Sequence, residues 1–131
     1  MKELYLYLAT VPVFFAIDML WLGVIAPKFY QDQIGHFLRP TPNWTAAVIF
    51  YLLYVVGILI FAVLPNMDAG AGQVLLYGAL FGFFAYATYD MTNFAVMKDW
   101  PLTVTIVDMI WGTVLTGSVA VASYFISRWI Y

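Results

Sequence analysis

In a chain of 131 residues, 65% hydrophobic and only 9% charged, there are too few polar side chains to cover the surface that a soluble domain of this size leaves in water, where roughly 25% of residues are charged. The composition points to a membrane protein. A net charge of -2 is too small to argue for a nucleic-acid or acidic partner, and no nucleic-acid partner is expected; the absence of cysteine excludes disulfides, thiolate metal sites, cysteine nucleophiles and cysteine lipidation.

Four apolar segments, near residues 4–25, 44–64, 73–96 and 101–126, are each long enough to cross a bilayer, which takes about 20 residues at about 1.5 Å rise. They are about twice the length of a spanning strand and do not alternate apolar with polar, so helices are expected rather than a barrel. The expected fold is all-α, a single four-helix transmembrane domain over residues 1–131. The first segment is too long for a signal peptide, carries Asp18 and lacks a small-residue cleavage site, so it is expected to be retained. Pro12 should kink it.

The first connection, APKFYQDQIGHFLRPTPN, contains Pro27, Gly35, Pro40 and Pro42. It predicts a short interfacial stretch around 29–37, then an extended entry into the second helix. PNMDAGAG forms a turn without basic residues, and MKDW is so short that the third and fourth helices must be antiparallel neighbours. Trp44, Trp100, Trp129, Tyr5, Tyr7 and Tyr131 fall at segment ends, where aromatic rings favour the headgroup zone. Four spans place Lys2 and Arg128 on one side and Lys28, Arg39 and Lys98 on the other. Three basic residues against two turn the first connection toward the cytoplasm.

Asp18 stands nine residues before Pro27, Asp90 eight before Lys98, and Asp108 eight after Trp100. All three carboxyls should therefore lie roughly 12 Å below the same membrane face, in one layer with Tyr51 and Tyr54. On the third helix Tyr86, Asp90, Asn93 and Met97 predict a single polar stripe, and on the fourth Thr105, Asp108 and Gly112 do the same. A carboxyl facing lipid costs about 2.5–3.5 kcal/mol on the lenient insertion scale, so the three should face one another. The motif DMLW at 18–21 returns as DMIW at 108–111. The helices that carry it run in opposite directions, as in an inverted repeat.

None of the five basic residues lies inside a span; Lys28 and Lys98 at most snorkel from the rim. Buried acids without a buried cation must be protonated, share protons or hold an external cation. The plain alternative is that each aspartic acid staples two helices by a hydrogen bond, worth about 0.6 kcal/mol on average. Convergence of three in one layer favours a site, with Asp18, Asp90, Asn93, Asp108, Trp21, Trp111, Tyr86 and Tyr54 as the candidate residues.

GALFG at 78–82 and the stripe Gly112, Thr116, Ala120 carry the small-residue spacing of close helix packing, expected within the chain rather than in a dimer. His36 has no second histidine near it and should be a solvated interfacial residue. The candidate donors are hard oxygens, so no tight zinc or copper site is expected and no cofactor is implied. NWT at 43–45 matches a glycosylation acceptor but abuts a span and is read as accidental. No phosphate-binding glycine loop, serine–histidine pair or HExxH occurs.

With FFAIDMLWLGVIAPKFY early, YDMTNFA in the third helix and VDMIWGTVL in the fourth, nearly the whole chain resembles the small bacterial membrane family catalogued as domain of unknown function, number 2177. The resemblance implies a multi-pass protein of the bacterial inner membrane, with Asp18, Trp21, Asp90, Asn93, Asp108 and Trp111 in the recurring motifs. It implies no activity; an association with genes for fatty-acyl modification points to an amphiphile as ligand.

Three functions are compatible with these residues. The bundle binds a membrane lipid or small amphiphile, with or without a proton-transfer step on it; or the acidic layer is the proton or cation site of a small transporter; or the chain is a non-catalytic subunit of a larger membrane complex, or a homodimer. Exporters of the small multidrug-resistance type share an acidic residue in their first helix, but the three acids and long first connection depart from that pattern. Asp90→Asn retains size and hydrogen bonding, so it is expected to insert and to melt near the wild type while losing function. Thermal unfolding far below the wild type would make Asp90 a packing residue instead.

Overall fold

The computed structural model describes residues 1–131. Four helices are long and apolar enough to cross a membrane: α1 (Lys2–Ile25), α3 (Trp44–Asn66), α4 (Ala71–Val96) and α5 (Leu102–Ile130). A short helix, α2 (Pro27–Ile34), lies in the first connection and ends in a tight turn, Gly35–Phe37. The chain is thus an all-α, four-helix membrane bundle.

Helix α1 remains α-helical through Pro12 as far as Leu20. It then widens to a π-type turn over Trp21–Ile25, closed by Ala26 N–H donating to the Trp21 carbonyl at 2.8 Å. Helix α3 begins at Asn43, whose side chain accepts from Ala46 N–H at 3.1 Å. The asparagine of NWT is therefore an N-cap, which satisfies one of the amides a helix start leaves free. Helix α3 ends through a widened turn, Leu59–Val63, and a 3₁₀ turn at Pro65. The MKDW link reverses the chain by placing Asp99 at φ 63°, a left-handed conformation that aspartate tolerates better than most residues.

Helices α4 and α5 make the most extensive contact in the bundle. A Cβ built on Gly78 would lie 2.6 Å from Ala120 Cβ, one on Gly82 would run into the Gly112 carbonyl and Thr116, and one on Gly112 would run into Tyr86. Only hydrogen fits at these crossings. In a bilayer, where lipid tails are as apolar as leucine, such close backbone approach is a main source of helix association.

Helix α5 is the hub, with buried positions from Val104 to Ser127. Its other side receives α1, where Thr10 Oγ1 and Ser123 Oγ stand 2.8 Å apart. Helix α3 joins differently. Its far half, Leu59–Val63, packs against α4 and α5, whereas its first half leans on α1, with Tyr51 against Phe14 and Phe15 at ring distances of 5.3 and 5.2 Å. A gap is left between the first half of α3 and α4, and α2 folds back over its end.

That fold-back moves one aromatic residue from its expected place. Trp44, Trp129, Tyr5 and Tyr131 are exposed at helix ends, and Tyr7 donates to the Leu52 carbonyl at 2.9 Å. Trp100, expected in the headgroup zone, is only 7% exposed and packs with Ile34 of α2 and Val104 of α5. The amphipathic α2 covers the α4–α5 turn and so buries it.

Gly82→Ala should destabilise the bundle by about 1–3 kcal/mol through overpacking. Gly72→Ala, where a Cβ meets nothing within 4 Å, should change stability by less than about 1 kcal/mol. Thermal unfolding of the two variants in one detergent checks this; equal losses would show that the α4–α5 crossing does not depend on glycine.

Candidate functional site

The α4–α5 packing sets the register of the acids. Gly78 lies against Ala120, Gly82 against Thr116, and Tyr86 against Gly112. Each step is one helical turn in opposite directions along the two helices, so the next pair is Asp90 with Asp108. Asp108 is the ionisable side chain that lies against Asp90. Asp90 is fully buried, and neither of its carboxyl oxygens has a hydrogen-bond partner.

Asp18 and Asp108 are joined through the two tryptophans of the repeated motif. Trp111 Nε1 donates to Asp18 Oδ1 at 3.3 Å. Trp21 Nε1 donates to the Tyr30 hydroxyl at 3.0 Å, and that hydroxyl in turn donates to Asp108 Oδ1. The two indoles stack with centroids 4.6 Å apart and planes 12° from parallel. In each motif the tryptophan follows its aspartate by about one turn. With α1 and α5 antiparallel, the tryptophan of one helix thus stands level with the aspartate of the other. The echo in the sequence is a reciprocal contact, direct on one side and bridged by Tyr30 on the other.

Tyr30 belongs to α2, outside the spans. Burial, reinforced by its bond to the Asp108 carboxyl, pushes its phenol well above the usual range, which keeps it a donor. Its importance was not read from the sequence, although KFY closes the first motif quoted above. The signal available was the spacing of Tyr30 and Ile34 on one face of α2.

The gap between α3 and α4 is a cleft of about 770 Å³ lined by 16 residues, 13 of them hydrophobic, within the usual range of small-molecule sites. Its polar groups converge at one end, where Asp18, Asp108, Tyr30 and Trp111 contribute to the wall. Tyr54 is buried in the wall, its hydroxyl 2.8 Å from Thr116 Oγ1, and Tyr51 stands beside Asp18. Phe50 on α3 and Tyr89 on α4 also line the cleft and are each more than half exposed. They flank an opening that faces sideways between the two helices. No group of three or more His, Cys, Asp or Glu side chains is placed to hold a metal ion.

The expected site is thus brought together in part. Asp18, Asp108, Trp111, Tyr54 and Tyr86 line the cleft, and Trp21 braces its end from behind. Asp90 and Asn93 lie outside the lining. The stripe Tyr86, Asp90, Asn93, Met97 does not share one environment. Asp90 continues the glycine row toward α5, Asn93 is half-buried, and Met97 packs beside Ile34 and Trp100.

Residues 3–125 match the family described as predicted membrane protein (DUF2177). No curated protein and no solved structure matches the chain.

Tyr30→Phe removes the hydroxyl shared by Trp21 and Asp108. An intramolecular hydrogen bond contributes about 0.5–1.5 kcal/mol, so amide exchange across residues 27–34 should accelerate about two- to tenfold while α5 stays protected. Unchanged exchange would mean that apolar packing alone holds α2 in place.

Proposed function

The chain belongs to the membrane-protein family that its sequence matches, and we propose that its cleft binds a lipid-like amphiphile within the membrane. The observation that carries this reading is the single cavity that joins an apolar wall, a sideways opening between α3 and α4, and a polar end at Asp18 and Asp108. A ligand entering from the bilayer would keep its tail among mainly apolar and aromatic side chains and meet the carboxyl groups at the inner end. A bacterial inner membrane, the setting implied by the resemblance noted above, is the proposed location.

Asp18, Asp90, Asp108, Trp21, Trp111, Tyr54 and Tyr86 take unequal parts in this reading. Asp18 and Asp108 meet the head, Trp111 and Trp21 orient them, and Tyr54 and Tyr86 shape the wall. Asp90 acts from behind through Asp108. A carboxyl held beside a bound head is also placed to exchange a proton with it. The facing pair Asp90 and Asp108, without a cation between them, is the one observation that favours a proton or cation site instead.

Native mass spectrometry with lipid extraction, on gently solubilised wild type and on the Asp18→Asn, Asp90→Asn, Asp108→Asn triple variant, separates the two. The expected result is a bound amphiphile on the wild type, reduced at least tenfold on an equally stable variant. Two empty and equally stable proteins would overturn amphiphile binding and leave the proton or cation site.

A further inference from the structure

The lining of the cleft narrows the chemistry of the head, an inference that rests on the cleft being an amphiphile site. No lysine, arginine or histidine lines it, and Lys28, Arg39 and Lys98 are all exposed elsewhere. The one ion pair in the chain joins the N-terminus to Glu3. Asp18 and Asp108 therefore meet only neutral donors, the Trp111 indole and the Tyr51 phenol at Asp18 and the Tyr30 phenol at Asp108. An ionised carboxylate is an acceptor with several lone pairs, so each has capacity left for a donor or a cation that this chain does not supply.

The walls around those carboxyls are aromatic. Phe50 at 5.6 Å and Phe81 at 5.3 Å stack on the Tyr54 ring and engage its faces, Tyr86 meets it edge-on at 6.5 Å, and Phe50, Phe81 and Tyr86 themselves line the cleft. Trp111 and Tyr51 also face the same space. Aromatic faces carry the negative part of the ring quadrupole and attract cations, with quaternary ammonium heads as the best-known ligands of such boxes. Carboxylates and ring faces both select positive charge. A phosphate or sulfate in the same place would find no cation to neutralise it and two carboxyls to repel it.

We infer that the cleft takes an amphiphile whose head is a net cation, an amine or quaternary ammonium without an adjoining phosphate, seated between Asp18 and Asp108 within the aromatic wall, its tail leaving between α3 and α4. A zwitterionic phospholipid is excluded by the same lining, since its phosphate would be carried into the site with its amine. No covalent step is required. The role is recognition.

Four probes sharing one tail test this by native mass spectrometry in a neutral maltoside detergent: tetradecyltrimethylammonium, tetradecanol, tetradecylphosphocholine and tetradecyl sulfate. The ammonium probe should bind at least tenfold more tightly than each of the others. The Asp18→Asn, Asp108→Asn double variant should lose that preference while keeping tetradecanol, and Ala47→Trp, which fills the cleft, should lose both. Equal binding of tetradecanol or tetradecylphosphocholine to the wild type would overturn the cationic head and leave an amphiphile site standing. So would a preference that survives loss of both carboxyls. No probe binding above the Ala47→Trp level would overturn the amphiphile site itself. Since the preference is read on the wild type, the test holds even if the double variant fails to fold.

Discussion

The close approach of α4 to α5 is the constraint from which the other geometry follows. Where Gly82 meets the Gly112 carbonyl there is no room for a side chain, so the two helices lock in one register. That register runs turn by turn from Ala120 and Gly78 to Asp108 and Asp90. A slip of a single turn would put Asp90 opposite Gly112 and Asp108 opposite Phe94. The same contact determines where space is left. With α5 occupied by α4 on one side and α1 on another, α3 can close against the hub only at its Leu59–Val63 end, and its first half is left apart from α4. The cleft is thus the space that a tightly packed helix pair cannot share.

The second consequence concerns polar satisfaction. A carboxyl buried in a medium of low dielectric is costly unless it is hydrogen-bonded. Asp18 and Asp108 receive donors from other elements: Trp111 of α5 and Tyr51 of α3 at Asp18, and Tyr30 of α2 at Asp108. Asp90 receives none. The three acids are therefore not equivalent. Two are oriented at a cavity by aromatic donors, and the third is held behind one of them by the helix register. A set of simple staples would have given each acid a partner across its nearest helix contact.

Much of this was legible in the sequence. The four spans, the short helix around 29–37 and the packing role of Gly78 and Gly82 all follow from length, breakers and spacing, which local rules govern. The repeat DMLW and DMIW anticipated a relation between α1 and α5. Which side each acid faces was less legible. Counting i, i+4, i+7 from Tyr86 groups Asp90 with Asn93, but a helix face is about 100° wide and does not say which neighbour takes it. Extending the Gly78, Gly82 row by two further turns would have aimed Asp90 at α5, because close packing decides the matter before polarity does. Trp100 and Tyr30 were missed for a related reason. Their positions depend on α2 folding back over the α4–α5 turn, a tertiary event with only a weak local signal.

That fold-back ties the connection between α1 and α3 to the acidic layer. Tyr30 is the one residue of α2 that bonds into the layer, and it meets both members of the repeated pair, accepting from Trp21 and donating to Asp108. Directly before the tight turn, Ile34 clamps the same helix onto Trp100 and Val104. Displacing α2 would therefore remove the donor from Asp108, break the bridge between α1 and α5, and uncover the end of the cleft in a single motion. The packing of one eight-residue helix thus sets both the accessibility of the cavity from outside the bundle and the electrostatic character of its inner end.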